Sequence, residues 1–325
     1  ASDAQHLANK LLACFTPPFQ AGEHEFFISA SIGTSLYPQD GMDVATLVKN
    51  ADAAMYRSKA KGRNRVEGYT RDLTAQAKER VALEHELRRA IERNELSLYY
   101  QPKRSLETQE LIGAEALIRW HHPTFGDVPP EHFIALAEEN GMILQIGDWV
   151  LEQACQQMHA WQTVFDHFGP LSVNLAGAQL RQPNLLSRIE QLLRDYRLEP
   201  GCLQLEITEN FIMSQAEEAL DVLHQLKRLG VQLAIDDFGT GYSSLSYLKR
   251  LPLDFLKIDQ SFIRGLPDDP HDVAIVRAII ALGHSMQFTI IAEGVETPAQ
   301  QTFLAAEGCE QMQGYIVSLP LPPEL

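Results

Sequence analysis

The chain has 325 residues, with 27 Lys and Arg against 43 Asp and Glu, a formal net charge of −16 at pH 7. That length suits one large domain with a smaller companion, and the charge disfavours nucleic-acid polymers and anionic membrane surfaces as partners. A phosphate-bearing ligand would need cations supplied locally.

In chain order, "SDAQHLANKLLACF" opens as an amphipathic helix and lacks the features of a cleavable leader. "FFISASIGTSLY" reads as strand, "PQDG" as a turn, and "VATLVKNADAAMYRSKAK" as a second helix closed by Gly62. Residues 1–68 are thus expected to be a thin-cored α+β piece. Residues 69–93 read as a linking helix, charged throughout, with Leu73, Ala77, Val81 and then Leu87, Ile91 at steps of about four. Packing on the next domain is favoured over a signalling rod or a dimer seam.

Residues 94–325 carry eight β-type runs: "LSLYYQ", "LIGAEALI", "LSVNL", "LQLEI", "VQLAID", "DFLKI", "TIIAE" and "QGYIV". Helical stretches separate most of them from the second onward, which predicts an α/β fold, a (β/α)8 or TIM barrel. The link between the first two, "PKRSLETQEL", is close to the lower length limit for a helical crossover and rich in turn formers. It predicts a hairpin and one antiparallel strand.

Barrel enzymes place their chemistry at the carboxyl ends of the strands. Reading those ends gives Glu115, Asn174, Glu206, the adjacent pair Asp236 and Asp237, Lys257, Glu293 and Gln313. Singly, each is as easily a helix cap, a salt-bridge partner or a turn residue. Independent structural roles would scatter, whereas these collect at one rim. Five carboxylates facing one cavity repel each other unless cations intervene, and oxygen ligands without Cys or an obligatory His select Mg²⁺ or Mn²⁺ over Zn²⁺. Adjacent aspartates can share one ion and serve another, as two-metal hydrolysis requires. Lys257 can stabilise developing phosphoryl charge or simply pair with one of the acids.

Other signals are weaker. Cys14, Cys155, Cys202 and Cys309 lie far apart with no CxxC pair, arguing against a disulfide framework or structural zinc and for a reduced, cytoplasmic setting. The nearest approach to a membrane span, "VAIVRAIIAL", is broken by Arg277, so no membrane contact is expected from these residues; an anchor upstream in a longer parent protein stays compatible. "FGTG" lacks the Gly-Lys-Ser/Thr of a P-loop, and His121 and His122 in "WHHP" read as solvated.

The ordered set "YYQPKRSLETQELIGAEALIRWHHP", "FIALAEENGMI", "VNLAGAQL", "LEITEN", "AIDDFGTGYSSLSYLKRLPLDFLKIDQSFI", "AEGVET" and "QGYIVSLPLP" closely resembles the EAL family of cyclic-di-GMP phosphodiesterases, over about residues 80 to 323. The resemblance implies a modified TIM barrel with one antiparallel strand, two Mg²⁺ or Mn²⁺ ions, and hydrolysis of cyclic di-GMP to linear pGpG. It further implies Glu115, Asn174, Glu206 and Asp236 as ligands of one ion, and Asp236, Asp237 and Glu293 at the other. Lys257 would position the nucleophilic water, supported by Gln313. Gln101, Leu117 and Arg119 resemble substrate contacts, Glu296 resembles a guanine or supporting contact, and Glu209 resembles the anchor of the loop from Asp237 to Ser244. Ala176, Gly177 and Ala178 replace a more usual Ser-Ala-Arg, and Leu319 stands where a basic residue is common; both bear on substrate affinity.

Residues 1–68, through "SASIGTSLYPQDGMDVATLVKNADAAMYRSKAKGRNRV", resemble the C-terminal part of a GGDEF diguanylate cyclase domain, whose signature hairpin is not among the 325 residues. Lys59 and Arg63 match positions that touch a triphosphate in an intact domain, although a solvated helix end is the simpler reading. A tandem GGDEF-EAL parent without cyclase activity in this part is implied, and a homodimer through the barrel is expected. The expected function is phosphodiesterase; a non-catalytic cyclic-di-GMP receptor or a dimerising signalling module are the alternatives.

Overall fold

Strand β1 (Leu96–Ser105) runs antiparallel to β2 (Leu111–His122), with Gln101 opposite Glu115 and Lys103 opposite Gly113, so the expected hairpin is present. The computed structural model describes residues 2–15, 17–21, 24–26, 28–61, 64–165, 168–214, 216–241 and 245–324. Two compact units divide the chain, Ala1–Glu86 and Leu87–Leu325.

In the second unit, β3 (Leu171–Asn174), β4 (Leu203–Thr208), β5 (Gln232–Phe238), β6 (Phe255–Ile258), β7 (Thr289–Ala292) and β8 (Gln311–Gln313) follow in order. From β2 to β8 each pairs in parallel with the next, and β8 then pairs antiparallel with β1. The result is a closed eight-stranded barrel in which β1 alone is reversed. A short strand, Gly126–Val128, pairs antiparallel with the end of β2.

Two strand boundaries differ from expectation. Residues Pro102 to Ser105 belong to β1, not to a turn. The run "PKRS" reads as loop because the sequence does not reveal that the barrel interior that Lys103 faces is itself polar. At the other end, "QGYIV" is not the last strand: β8 is Gln311–Gln313, and the chain turns at Gly314. Gly314 has φ +153°, and a Cβ there would sit 2.3 Å from the backbone N and O of Val295.

The apolar core lies outside the barrel wall. Leu205, Ile207, Leu233, Ile235, Leu256, Ile258 and Ile290 are buried beneath helices Leu185–Asp195, Ala216–Leu229 and Pro270–Ser285, which contribute Ile189, Leu223, Leu226 and Val276. Each such side chain is worth about 1.5–3 kcal/mol on burial. This layer stabilises the unit and leaves the inner faces of the strands free to carry charge.

In the first unit, Ile32–Thr34 pairs in parallel with Val66–Gly68, and helix Val44–Ala60 packs at Gly33, where a Cβ would meet Ala51 O at 2.0 Å. Asp43 caps that helix by accepting from Thr46 N (2.9 Å). Of the single strand expected over "FFISASIGTSLY", the described residues show strand at Ile32–Thr34 and, at its first residue, the end of His24–Phe26. Gly62 and Arg63 lie outside the described residues. The expected linking helix is Arg71–Ala90, and the division between units falls within it. Leu73, Leu83 and Leu87 are buried while Val81 is 67% exposed, so the buried stripe departs from the four-residue steps; the side chain of Ala77 is outside the described residues. Among the described residues no helix is long and apolar enough to cross a membrane.

Candidate active site

Successive strand residues face opposite sides, so a two-residue step puts Gln101 with Lys103, Ser172 with Asn174, and Gln204 with Glu206 on the inner wall. Asn174 and Gln313 end their strands and Glu293 follows β7 directly, as the sequence suggests. Glu115, Glu206, Asp236 and Lys257 instead lie inside theirs. For Glu115 the reason is plain: β2 continues past the rim to pair with Gly126–Val128.

The residues nevertheless converge. Lys257 Nζ, fully buried, lies 2.6 Å from Glu293 Oε1, 3.1 Å from Asp236 Oδ1 and 3.5 Å from Glu115 Oε2, and donates to Glu206 Oε2. Asn174 Nδ2 donates to Glu115 Oε1 (2.6 Å), and Gln313 Nε2 donates to Glu115 Oε2 (2.7 Å) and Gln101 Oε1 (2.9 Å). Gln101 Nε2 donates to Ser318 O at 3.1 Å.

Adjacent aspartates on a regular strand would point to opposite faces. Here Asp237 adopts φ +54°, a left-handed conformation that Asp tolerates better than most residues, and the pairing with β6 shifts register between Ile235 and Phe238. As a result, carboxylate oxygens of Asp236, Asp237 and Glu293 all lie within 4.8 Å of one another. The Asp237 N–H donates to Asp236 Oδ1 at 2.9 Å.

The electrostatics follow from this crowding. Burial, then the Asp236 and Asp259 charges, push Asp237 up to about 6. Burial, with Asp236 and Glu115, pushes Glu293 well above the usual carboxylate range despite Lys257. Burial and Glu206 likewise raise Glu115. Burial would also raise Glu206, but Lys103 and Lys257 outweigh it and hold that carboxyl low. Burial alone would lower Lys257; the surrounding Asp236, Glu115, Glu206 and Glu293 reverse it and keep the ammonium charged.

Lys103, Ser172 and Gln204 were not anticipated. Lys103 Nζ donates to Glu206 Oε1 (2.6 Å), Ser172 Oγ (2.5 Å) and Gln204 Oε1 (3.2 Å). The one available signal was parity, since Lys103 lies two residues beyond Gln101 on the same strand face.

Around this cluster, Glu209 is buried and its Oε2 accepts from Gly239 N (2.8 Å) and Gly241 N (3.3 Å), tying down the chain after Asp237. The far part of that loop, Tyr242 to Ser244, lies outside the described residues. Arg119 is half-buried with its guanidinium 5.6 Å from the Tyr99 ring centre, and Leu117 is half-buried on the same strand. Glu296 is exposed; its backbone N–H donates to Gln300 Oε1 (2.8 Å), and no contact joins it to the acidic cluster among the described residues. His122, expected to be solvated, is buried, and its Nδ1 accepts from Thr124 N and Phe125 N, both at 3.1 Å. "FGTG" begins a turn, with Thr240 N–H donating to Asp237 O (3.4 Å).

Five carboxylates, Glu115, Glu206, Asp236, Asp237 and Glu293, face two ammoniums, Lys103 and Lys257, leaving a formal shortfall of positive charge. The donor set is all oxygen, and Gln313 Oε1 is buried without a hydrogen-bond partner. Such a set fits hard divalent cations, with Asp236, Asp237 and Glu293 the most compact group able to hold one.

Comparison with known proteins agrees with this arrangement. The family model described as EAL domain matches residues 84–320, and the model described as diguanylate cyclase, GGDEF domain, matches residues 1–65. The bifunctional diguanylate cyclase/cyclic di-GMP phosphodiesterase MucR of Pseudomonas aeruginosa is 47% identical over 99% of this chain and 47% of its own length. The cyclic di-GMP phosphodiesterase NbdA of the same organism is 42% identical over 98% of this chain and 41% of its own length. The chain thus spans less than half the length of these curated relatives. A solved structure titled as the PaMucR phosphodiesterase in complex with c-di-GMP is 48% identical and superposes with a TM-score of 0.73, covering 75% of this chain and 98% of that one. With the barrel, the acidic cluster and the family match all falling on the same residues, this chain belongs to the EAL domain family.

Proposed function

We propose that the chain hydrolyses cyclic di-GMP to linear pGpG, using two divalent cations, Mg²⁺ or Mn²⁺, held by Glu115, Asn174, Glu206, Asp236, Asp237 and Glu293. The observation that carries this reading is the convergence of Glu115, Glu206, Asp236 and Glu293 on one buried lysine. That the relatives are named cyclic di-GMP phosphodiesterases, and that a similar structure is titled as a c-di-GMP complex, supports the choice of substrate.

When bound, the cations supply Lewis acidity toward the phosphodiester and a water of lowered pKa. The remaining work belongs to the chain. Lys257, protonated at Nζ, orients the attacking water and offsets charge building on the phosphoryl oxygens. Gln313 and Asn174 fix the Glu115 carboxylate from two sides, and Gln101 fixes Gln313 in turn. Arg119 offers planar donors to the phosphate, with Leu117 beside it. Glu296 is assigned to the periphery of the guanine site, and Glu209 holds the loop after Asp237. The oxygen of water joins phosphorus, one P–O3′ bond breaks, and the proton passes to the departing 3′ oxygen, leaving a 5′-phosphate and a 3′-hydroxyl.

The test is direct: incubate the 325-residue chain with cyclic di-GMP and Mg²⁺ and separate the nucleotides. pGpG is expected. Binding without product would replace the enzyme by a receptor, and absence of binding would leave only a scaffolding role. A dimer through the barrel, and a cytoplasmic setting, belong to the same proposal and are tested by sedimentation and by cell fractionation.

A further inference from the structure

We infer that Lys103 is a positioning residue for the cation site, acting through Glu206. The inference rests on the cation reading of Glu206 given above. A buried ammonium costs several kcal/mol of desolvation, and an unbranched apolar side chain would fill the same space without that cost, so the charge calls for an account. Lys103 is 2% exposed, and its three N–H donors meet three acceptors: Glu206 Oε1 at 2.6 Å, Ser172 Oγ at 2.5 Å and Gln204 Oε1 at 3.2 Å. Ser172 Oγ also donates to Gln204 Oε1 (2.5 Å), so the acceptors are tied to each other. The ammonium therefore has one orientation and no freedom to follow Glu206 elsewhere.

Glu206 divides its two oxygens. Oε1 is held by Lys103, and Oε2 faces Lys257 in the acidic cluster. Fixing one oxygen fixes the plane of the carboxylate and hence the direction from which Oε2 meets a cation. Lys103 reaches this position because β1 is reversed: two residues beyond Gln101 on the same strand face, it lies further from the start of the strand, opposite Gly113 of β2 and Gln313 of β8. One face of one strand thus supports two partners, Gln101 beside Gln313 and Lys103 beneath Glu206.

A competing account makes Lys103 a mere counter-charge, and the two accounts predict opposite signs. Removing a counter-charge makes the cluster more negative and tightens cation binding. Removing a positioning group lets the carboxylate rotate and loosens it; partners of metal ligands are worth about 10- to 100-fold in affinity. The experiment is a Mn²⁺ titration of the 325-residue chain, following the electron paramagnetic resonance signal of free Mn²⁺, for the wild type, Lys103→Met, Glu206→Gln and the double variant. Lys103→Met is expected to weaken Mn²⁺ binding by about 10- to 100-fold in protein that remains folded. In the Glu206→Gln background the same change should add less than about twofold, within the usual error of additivity.

Unchanged or tighter Mn²⁺ binding by Lys103→Met overturns the inference, as does a full additional loss in the Glu206→Gln background. If Lys103→Met does not fold, Ser172→Ala carries the test: losing one acceptor should weaken Mn²⁺ by up to about fivefold, the worth of one net hydrogen bond, and no change overturns the idea. A wild-type chain that binds no Mn²⁺ defeats this inference together with the proposed function. Tight wild-type binding that is indifferent to Lys103 defeats this inference alone.

Discussion

Replacing Lys257 by Met should make the stability of the barrel depend on divalent cations. Lys257 Nζ sits within 3.5 Å of Glu115, Glu206, Asp236 and Glu293, and the residue is fully buried. Among the described residues, its loss in metal-free protein leaves Glu206 with its ion pair to Lys103 and removes the ion pairs of Glu115, Asp236 and Glu293. Breaking a buried ion pair from one side costs about 3–5 kcal/mol. For a unit of this size each kcal/mol moves the melting temperature by about 2–4 °C, so a fall of about 6–20 °C is expected. Saturating Mn²⁺, present at about 100 times its Kd, returns about 2.7 kcal/mol to any folded protein that binds it. The variant should gain more than that, since Mn²⁺ no longer competes with an ammonium for the same oxygens. Calorimetric melting of EDTA-treated and Mn²⁺-loaded protein, wild type against Lys257→Met, measures both effects. A metal-free variant melting at or above the wild type, or the same Mn²⁺-induced gain in both, refutes the reasoning.

Glu115→Gln keeps the side-chain size but removes the charge and one of the two oxygens that accept from Asn174 and Gln313, and should cut cyclic di-GMP turnover by about two orders of magnitude or more; retained turnover removes Glu115 from the cation site. Stripping the protein with EDTA should abolish hydrolysis, Mg²⁺ or Mn²⁺ should restore it, and Ca²⁺ should not, because its longer and less regular bonds displace the water; full activity in Ca²⁺ would count against a geometry-sensitive cation pair. Glu209→Ala leaves the Gly239 and Gly241 N–H groups without their acceptor, at about 1–3 kcal/mol, and amide exchange at both should accelerate; protected amides would show that the loop has another anchor. Gly314→Ala drives a Cβ to 2.3 Å from the Val295 backbone, which should lower the melting temperature and turnover together, since Gln313 is its neighbour. A melting curve unmoved by that change would mean the turn has room it does not display.

The architecture was legible because each barrel strand carries an apolar outer face and is followed by a turn or helix, so period and punctuation agree. The reversed strand was legible for a negative reason: the segment after Gln101 is barely long enough for a helical crossover and is rich in turn formers. The acidic cluster was legible as a set of residue types, yet not as positions along the strands. Glu115 and Glu206 lie within β2 and β4 and not at their ends, because hydrogen-bonded pairing runs on past each of them. Lys103 was missed for a related reason. Its polar neighbours, Arg104 and Ser105, look like a turn, and only the finished barrel shows that the inner wall accepts polar groups. Nor does the sequence show that Asp237 leaves the strand conformation, the step that turns two adjacent acids toward one side.

The reversed first strand also changes where the polypeptide is threaded into the barrel. In an all-parallel barrel every strand begins at the floor, remote from the chemistry. Here Leu96, the first residue of β1, lies opposite Trp120 near the upper end of β2, so the chain enters this strand from the mouth side. From that entrance to Gln101 is five residues of continuous strand, about 17 Å, with no intervening loop to absorb a displacement. The incoming segment and the site are therefore joined by unbroken strand, and strain applied at the doorway reaches Gln101 before Lys103.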